Sequence, residues 1–236
     1  MTGPGTGSGL GSGTGNAGGY GPEEFAAAFG VSRETCARFA RYEAALRRWQ
    51  RRINLVGPST LGDVWRRHFA DSAQLAAHLR PGARRLVDLG SGAGFPGLAL
   101  KLLRPELSVH LIEADARKAA FLRATAALLS VEIAVTAARI EDVAAGPARP
   151  PADIVTARAV APLPELLALA SGWAVDNPQF LFLKGQNVEF ELISAAKCWN
   201  MTVERIDSVT HPGGCVLSIE GIARAETRCP GGKWNG

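Results

Sequence analysis

The residues with the clearest capacity for chemistry are the glycines of a short segment, VDLGSGAGFPG, at residues 87–97. Gly90, Gly92 and Gly94 follow an apolar run that is typical of a buried strand. Glycine has no Cβ and adopts positive φ angles, so backbone N–H groups in such a turn can approach a ligand closely. The helix that follows presents its positive N-terminal end to the same place. The pattern therefore predicts a cradle for a nucleotide-like cofactor.

The spacing of the glycines separates two classes of cofactor. A literal G-x-G-x-x-G is present at Gly92, Gly94 and Gly97, but in a dinucleotide site the first glycine follows the strand directly. Here that glycine is Gly90, and counting from it places Phe95 where the third glycine belongs. What remains, D-x-G-x-G-x-G, resembles the form in which class I methyltransferases hold S-adenosylmethionine. A nicotinamide-dependent oxidoreductase is therefore disfavoured.

Further candidate residues stand where other predicted strands end. Because ligands in open α/β sheets bind beyond the carboxyl ends of the strands, these residues are expected at one edge. Glu113 is placed to accept the ribose hydroxyls of an adenosine moiety. Ile140 can lie on the adenine ring, while Glu141, or alternatively Asp142, meets its exocyclic amine. Beyond the fourth and fifth strands stand Arg158 and Lys184.

The elements that position these residues alternate between strands and helices. We predict strands at 86–89, 109–112, 133–136, 154–156, 180–183, 203–207 and 216–219, and helices at 97–103, 117–129, 164–174 and 188–199. Such alternation indicates a parallel sheet with helices on both faces. The last two strands are joined without room for a helix, which indicates a closing antiparallel hairpin. The predicted fold is a Rossmann-like α/β sheet over residues 85–224, the class I methyltransferase layout.

A helical region is predicted before this sheet, at residues 20–84. From 32 to 54, apolar residues at helical spacing form one stripe, made of Phe39, Tyr42, Leu46, Trp49 and Ile53. A second helix is predicted at 60–79, with Thr60 as its N-cap. Residues 1–19, rich in Gly, Ser and Thr, are expected to be a disordered leader, and residues 225–236 a flexible tail.

Composition is that of an ordinary enzyme domain with an appendage: 236 residues with a formal net charge of +4. There is no apolar run long enough to span a membrane and no signal peptide pattern. The four cysteines lack the paired spacing of a zinc site or redox motif; they are Cys36, Cys198, Cys215 and Cys229. We therefore expect a cytoplasmic protein with reduced thiols and no metal. Nothing in the sequence demands a dimer, so a monomer is expected.

Arginine clusters between residues 33 and 85, with Trp49 and Trp65 among the arginines. Arginine pairs bidentately with phosphate and stacks on bases, so the cluster favours a surface that faces RNA. Arg48 and Arg52 are candidate contacts on that surface. The alternative is a solvated helix face in an arginine-rich composition, because a patch requires spatial clustering that a sequence does not reveal.

Absent motifs narrow the choice of acceptor atom. Methylation of a cytosine carbon needs an activating cysteine, and methylation of the adenine amine typically uses an Asn/Asp-Pro-Pro-aromatic loop. After the fourth strand the sequence is instead TARA, at residues 156–159. An acceptor that already carries a lone pair, such as guanine N7, mainly needs positioning. A small-molecule acceptor satisfies the same pattern and is the alternative reading, and a non-catalytic RNA-binding protein is a more distant one.

A longer set of motifs, in order from Asn54 to Lys184, resembles the bacterial 16S rRNA guanine-N7 methyltransferase G family, also called glucose-inhibited division protein B. The motifs are Asn54-Leu55, Arg67-His68 with Asp71-Ser72, the segment 88–97, Arg117-Lys118 with Phe121-Leu122-Arg123, Arg139 with Glu141, Arg158-Ala159 and Lys184-Gly185. The resemblance implies a cytoplasmic enzyme that transfers methyl from S-adenosylmethionine to N7 of a guanine in the 530 loop of 16S rRNA, in the small ribosomal subunit.

The resemblance also assigns roles to individual residues. It implies that the cofactor is contacted by Gly90, Phe95, Glu113, Ile140, Glu141 and Arg158, with Gly92 and Gly94 in the same loop. Arg67, His68 and Lys184 are similar to family positions that line the pocket, and Arg158 is an alternative holder of the target base. His68 and Asp71, three apart on a helix, are alternatively a structural hydrogen-bonded pair. The chain departs from many relatives at Gly214-Cys215, where they carry an Arg-His pair.

Overall fold

The computed structural model describes residues 20–225, and its centre is a seven-stranded sheet with the order β3-β2-β1-β4-β5-β7-β6. The strands are Arg85–Leu89 (β1), Ser108–Ile112 (β2), Ala134–Thr136 (β3), Ile154–Arg158 (β4), Gln179–Lys184 (β5), Trp199–Asp207 (β6) and Cys215–Arg224 (β7). The pairs from β3 to β5 are parallel, whereas β7 runs antiparallel to both β5 and β6. The predicted Rossmann-like sheet with a closing antiparallel hairpin is confirmed.

The helices flank this sheet and also precede it. They are Pro22–Phe29 (α1), Arg33–Gln50 (α2), Asp71–Ala73 (α3), Gly97–Leu103 (α4), Ala116–Leu129 (α5), Ile140–Ala145 (α6), Leu163–Ala170 (α7) and Val188–Ala196 (α8). The sequence pattern did not predict α1 or α6 as separate helices. Both are short, and helices of one or two turns depend on tertiary packing more than on a periodic pattern.

The predicted helix at about 60–79 is present as helical backbone from 58 to 77, but its turns are not of one type. This stretch is a 3-10 helix at Pro58–Asp63, a π-helix at Trp65–Ala70, the single turn α3, and another 3-10 helix at Gln74–Ala77. Helical turns of different width rotate successive side chains by different amounts, and π turns occur frequently at functional sites. The irregularity therefore sets which side chains of this stretch face the rest of the molecule.

Two clusters of buried apolar residues hold the layers together. One includes Phe39, Tyr42 and Leu46 of α2 together with Val109 and Phe121, which belong to β2 and α5. The other joins β4 and β5 to α6, α7 and α8. The predicted stripe of α2 is therefore packed into the same core as the sheet, and the N-terminal helices form one wall of the domain.

The thiol or disulfide state of the cysteines differs from the prediction at one position. Cys36 and Cys215 are free, whereas Cys198 is disulfide-bonded, so the expectation of reduced thiols is wrong there. A disulfide requires only that two Cβ atoms approach in space, so the absence of a paired spacing did not exclude it. Cys229 lies outside the described residues, as do the predicted leader at 1–19 and all but the first residue of the predicted tail.

Within residues 20–225, no helix has the length and apolar character needed to cross a membrane. The same part of the chain contains no group of three or more His, Cys, Asp or Glu side chains arranged to hold a metal ion.

Candidate active site

A cavity of about 550 Å³ opens where β1, β4 and β5 end. The strand order turns back between β1 and β4, and such a switch point is where open α/β sheets bind ligands. The cavity is lined by the glycine loop after β1, by residues 55–71 of the N-terminal region, by the ends of β4 and β5, and by the loop 208–214 between β6 and β7. Its volume is in the range of small-molecule and cofactor sites.

Two glycines of the loop serve different purposes. Gly92 has a φ of 56°, and a Cβ there would meet nothing closer than a backbone oxygen at 3.9 Å, so it borders open space at the cavity. Gly94 has a φ of 91°, but a Cβ there would lie 2.9 Å from Leu98 and against the hydroxyl of Tyr42. Gly94, predicted to contact the cofactor, is therefore a packing position and does not line the cavity. Gly90 and Gly92 do line it.

Glu113 is fixed at the cavity by backbone groups. Its Oε2 accepts the N–H of Gly92 at 2.7 Å, and its Oε1 accepts the N–H of Asp115, the N-cap of α5, at 2.9 Å. Each carboxylate oxygen can accept more than one hydrogen bond, so the side chain keeps capacity for two hydroxyl donors. With the open space at Gly92, this arrangement fits the ribose and adjoining atoms of S-adenosylmethionine.

Asp88 lies buried beneath the glycine loop. Its Oδ1 accepts the hydroxyl of Thr156 at 2.7 Å, which links β1 to β4. Burial raises the pKa of Asp88 to about 6, against a partial opposing effect of its hydrogen bonds. Asp88 does not line the cavity, so its contribution to the site is to the packing under the loop.

Ile140 and Glu141 are the first residues of α6, beyond β3, and neither lines the cavity. Ile140 is buried in the core, and Glu141 is exposed and forms an ion pair with Arg139 at 3.3 Å. β3 is an edge strand that pairs only with β2, so its end stands two strands away from β1 and the glycine loop. Their contact with adenine stays a prediction, as does that of Asp142.

Arg158 is the last residue of β4 and the centre of a side-chain network. Its Nη1 donates to the backbone oxygen of Arg67 at 3.1 Å and to Oδ2 of Asp71 at 3.3 Å. Its Nη2 donates to Nδ1 of His68 at 3.0 Å, and the guanidinium lies 4.8 Å from the centre of the Phe95 ring. His68 and Asp71 are therefore joined through Arg158 and not as a directly bonded pair.

His68 is held neutral by its surroundings. Burial and the positive charges of Arg158 and Arg67 lower its pKa to about 3. Because its Nδ1 accepts from Arg158, the proton is on Nε2, which donates to Thr60 at 2.9 Å. The ring also stacks on Phe95 with centres 5.0 Å apart. Thr60 is thus a partner of His68 and not a helix cap, and His68 acts as a fixed acceptor for Arg158.

Lys184, the last residue of β5, lines the cavity but its charge is already paired. Its Nζ forms an ion pair with Glu191 of α8 at 2.5 Å and donates to the backbone oxygen of Ala161 at 3.0 Å. The side chain is only 9% exposed, so this pair is a fixed part of the wall. Lys184 positions that wall and presents no free charge.

Four arginines of α2 and the segment after it differ in their partners. Arg38 and Arg41 donate to backbone oxygens at the C-terminus of α5, among them that of Leu129, where a cation is favourable. Arg48 and Arg52 are exposed, and their side chains make no hydrogen bond or ion pair with any residue in the 20–225 range. Arg48 and Arg52 are therefore available to a partner.

The two tryptophans among these arginines do not belong to an exposed surface. Trp65 is buried, and its indole N–H donates to Glu43 at 2.7 Å. Trp49 is half-buried and packs edge-on against Phe121 with ring centres 5.7 Å apart. The interpretation that they interleave with arginine to face RNA is therefore wrong, because Trp49 on the apolar stripe of α2 and Trp65 of the π-helical turn both pack against the core.

Several groups of the site were not foreseen from the sequence. Tyr42, assigned only to the core, stacks on Phe95 at 5.4 Å and donates to the backbone oxygen of Ala93 in the glycine loop. Glu191 and the loop 208–214 were not foreseen as parts of the cavity. The short β6–β7 connection predicted a hairpin, and the presence of Gly214-Cys215 in place of the relatives' Arg-His pair counted against a role for it in substrate binding, but its loop lines the cavity.

Comparison with known proteins gives a consistent result. The sequence profile of the family described as rRNA small subunit methyltransferase G (GidB) matches residues 35–214. A "Ribosomal RNA small subunit methyltransferase G" from Rhodospirillum centenum is 54% identical over 201 residues, covering 85% of this chain and 90% of its own. A protein of the same name from Paramagnetospirillum magneticum is 49% identical over 208 residues, which cover 88% of this chain and 99% of the relative. A mutant of MtNAS solved with S-adenosylmethionine has a TM-score of 0.53 at 13% identity, over 84% and 82% of the chains, which shows the fold alone.

Proposed function

This chain belongs to the rRNA small subunit methyltransferase G family, and we propose that it transfers a methyl group from S-adenosylmethionine to N7 of a guanine in the 530 loop of 16S rRNA. The observation that carries the proposal is a cavity with two distinct sides. We call Gly90, Gly92 and Glu113 the cofactor side. The acceptor side consists of His68, Asp71, Arg158 and Lys184.

On the cofactor side, Glu113 accepts the ribose hydroxyls, and Gly92 provides the space beside them. Ile140 and Glu141 meet the adenine ring in this proposal. When bound there, S-adenosylmethionine supplies an electrophilic methyl group, which is the chemistry that no side chain provides.

On the acceptor side, the residues hold the target base and do not move a proton. Guanine N7 carries a lone pair and needs no general base. This agrees with a neutral His68 whose two ring nitrogens are both engaged, and with a Lys184 paired to Glu191. Arg158 positions His68 and Phe95, which form the wall against the base. Catalysis is then mainly a matter of orientation.

The RNA partner is met by arginines that the fold leaves unpaired. Arg67 lines the cavity with a free side chain, and Arg48 and Arg52 are exposed near the end of α2. Phosphate contacts of this kind set the position of the protein on the nucleic acid without reading its sequence. A cytoplasmic monomer acting on 16S rRNA or the small ribosomal subunit is part of the proposal.

The test is methyl transfer from labelled S-adenosylmethionine to small ribosomal subunits that lack the modification, mapped by cleavage at 7-methylguanine. We expect label at one guanine of the 530 loop. The absence of label in RNA, with cofactor binding verified by calorimetry, would contradict the proposal and favour a small-molecule acceptor.

A further inference from the structure

The loop between β6 and β7, residues 208–214, forms one wall of the cavity and is held by a distant part of the chain. The N–H of Val209 donates to Oε1 of Gln74 at 3.1 Å, and Nε2 of Gln74 lies 3.3 Å from the hydroxyl of Ser208. Arg66 also donates to the backbone oxygen of Thr210 at 3.3 Å. The loop is therefore fixed to the N-terminal helical region.

The same attachment reaches the acceptor side. The hydroxyl of Thr210 donates to Oδ1 of Asp71 at 2.8 Å, and Gln74 donates to this oxygen at 3.0 Å. The other oxygen of Asp71 accepts from Arg158. Gln74 is only 5% exposed and does not line the cavity, so its hydrogen bonds serve to position other groups.

His211 is the residue of this loop with unused chemistry. It lines the cavity, and its side chain makes no hydrogen bond or ion pair with the rest of the described chain. Its backbone oxygen accepts the N–H of Gly214 at 3.0 Å, which fixes the turn that carries it. His68, by contrast, uses both ring nitrogens within the protein. A free imidazole can both hydrogen-bond to a base edge and stack on a base.

We propose that His211 contacts the target nucleotide, and that Gln74 is the positioning residue that holds the loop 208–214 for this contact. The inference rests on the proposed function, since it takes the occupant of the acceptor side to be an RNA nucleotide. It adds a recognition element on the hairpin, from a part of the chain far from the glycine loop.

The test compares His211→Ala and Gln74→Met with Gln179→Met as a matched control. Gln179 is also buried, and its side chain makes three hydrogen bonds, to Arg80, His78 and Ser218, where that of Gln74 makes four, but it lies at the start of β5, away from the cavity. We expect His211→Ala and Gln74→Met to raise the KM for small ribosomal subunits by about three- to tenfold, the worth of one neutral hydrogen bond. The KM for S-adenosylmethionine should not change. His211→Asn, which keeps a donor and an acceptor, should recover part of the loss.

Gln179→Met should lower the melting temperature as Gln74→Met does but leave both KM values unchanged. Amide exchange at Val209 should be faster in Gln74→Met alone. An unchanged KM for RNA in an active His211→Ala, or an equal rise in Gln179→Met, would overturn the inference. Wild-type protein that does not methylate the subunit would contradict the proposed function, and with it the RNA contact of His211. The Val209 exchange result would still test the positioning role of Gln74.

Discussion

The two sides of the cavity are built by different kinds of interaction. On the cofactor side, a single carboxylate, Glu113, is bound by backbone N–H groups from segments 2 and 21 residues away. On the acceptor side, Arg158 is bound by His68, Asp71 and Arg67, which lie 87 to 91 residues away in sequence. The first side follows from strand pairing and one turn. The second requires the side chains of His68 and Asp71 and a backbone oxygen to meet the end of β4, with His68 held neutral.

The acceptor side should be the more sensitive to acid, because it contains a histidine held neutral. The pKa of His68 is lowered to about 3 from an ordinary 6.5. Its contribution to stability is therefore present above pH 6.5 and is lost as the pH falls towards 3, by at most about 5 kcal/mol. Urea unfolding at a series of pH values from 8 to 4 measures the free energy of unfolding. In His68→Asn this free energy should fall less steeply as the pH is lowered. If the free energy of unfolding had the same pH dependence in both proteins, the lowered pKa of His68 would be contradicted.

Removing the centre of the acceptor side separates turnover from cofactor binding. Arg158→Ala releases His68, Asp71 and Phe95 from a common partner. We expect kcat to fall roughly a hundredfold, because small displacements of positioning groups have effects of that size. The affinity for S-adenosylmethionine, measured by calorimetry, should change far less. A parallel loss of melting temperature and turnover would instead mark Arg158 as purely structural.

Beneath the cofactor side, acid should act in the opposite direction. Burial raises the pKa of Asp88 to about 6, so the protonated carboxyl is the form the fold favours. The stability it contributes is present below pH 3.8 and is lost as the pH rises through 6. Asp88→Asn should therefore raise the free energy of unfolding at pH 7.5, by up to about 3 kcal/mol. Chemical denaturation at pH 7.5 and pH 4 checks the sign, since the gain should nearly vanish at the lower pH.

The converse of the Arg158 experiment is a change in the carboxylate of the cofactor side. Glu113→Gln keeps the volume of the side chain but removes the charge that strengthens its hydrogen bonds to hydroxyls. We expect the Kd for S-adenosylmethionine to rise about tenfold, with kcat at saturating cofactor little affected. Calorimetry gives the first quantity and single-turnover methylation the second. Unchanged affinity would remove Glu113 from the ribose role.

The smallest effect is expected at the arginines outside the cavity. Arg48→Ala and Arg52→Ala should each lower the slope of log Kd for RNA against log salt concentration by about 1, with kcat unchanged. Arg38→Ala is the matched control, because Arg38 donates to backbone oxygens at the end of α5. It should lower the melting temperature and leave the salt slope as it is. A lower salt slope in Arg38→Ala, with no change in Arg48→Ala and Arg52→Ala, would contradict the assignment of Arg38 as structural and of the other two as RNA contacts.

Much of the fold was predictable because it depends on local patterns. The strands β1 to β7 were predicted within about two residues, except for the longer ends of β6 and β7, by apolar runs and the helices between them. Gly90, Gly92 and Glu113 line the cavity, because the end of a strand fixes where the next residues stand, and their contact with the cofactor stays a prediction. The stretch 58–77 was predicted to be helical, but its mixture of 3-10, π and α turns was not, since a periodic pattern does not distinguish these turn types.

The sequence by itself determined the strands, the glycine turn and the place of Glu113 at a strand end, since each follows from a pattern of residues close along the chain. The charge state of His68, the pairing of Lys184 with Glu191 and the division of the arginines were decided only by tertiary structure. Those properties depend on burial and on partners in elements far apart in sequence. A local sequence pattern carries no information about either. The acceptor side, where substrate choice resides in our proposal, is therefore the part that only the folded chain specifies.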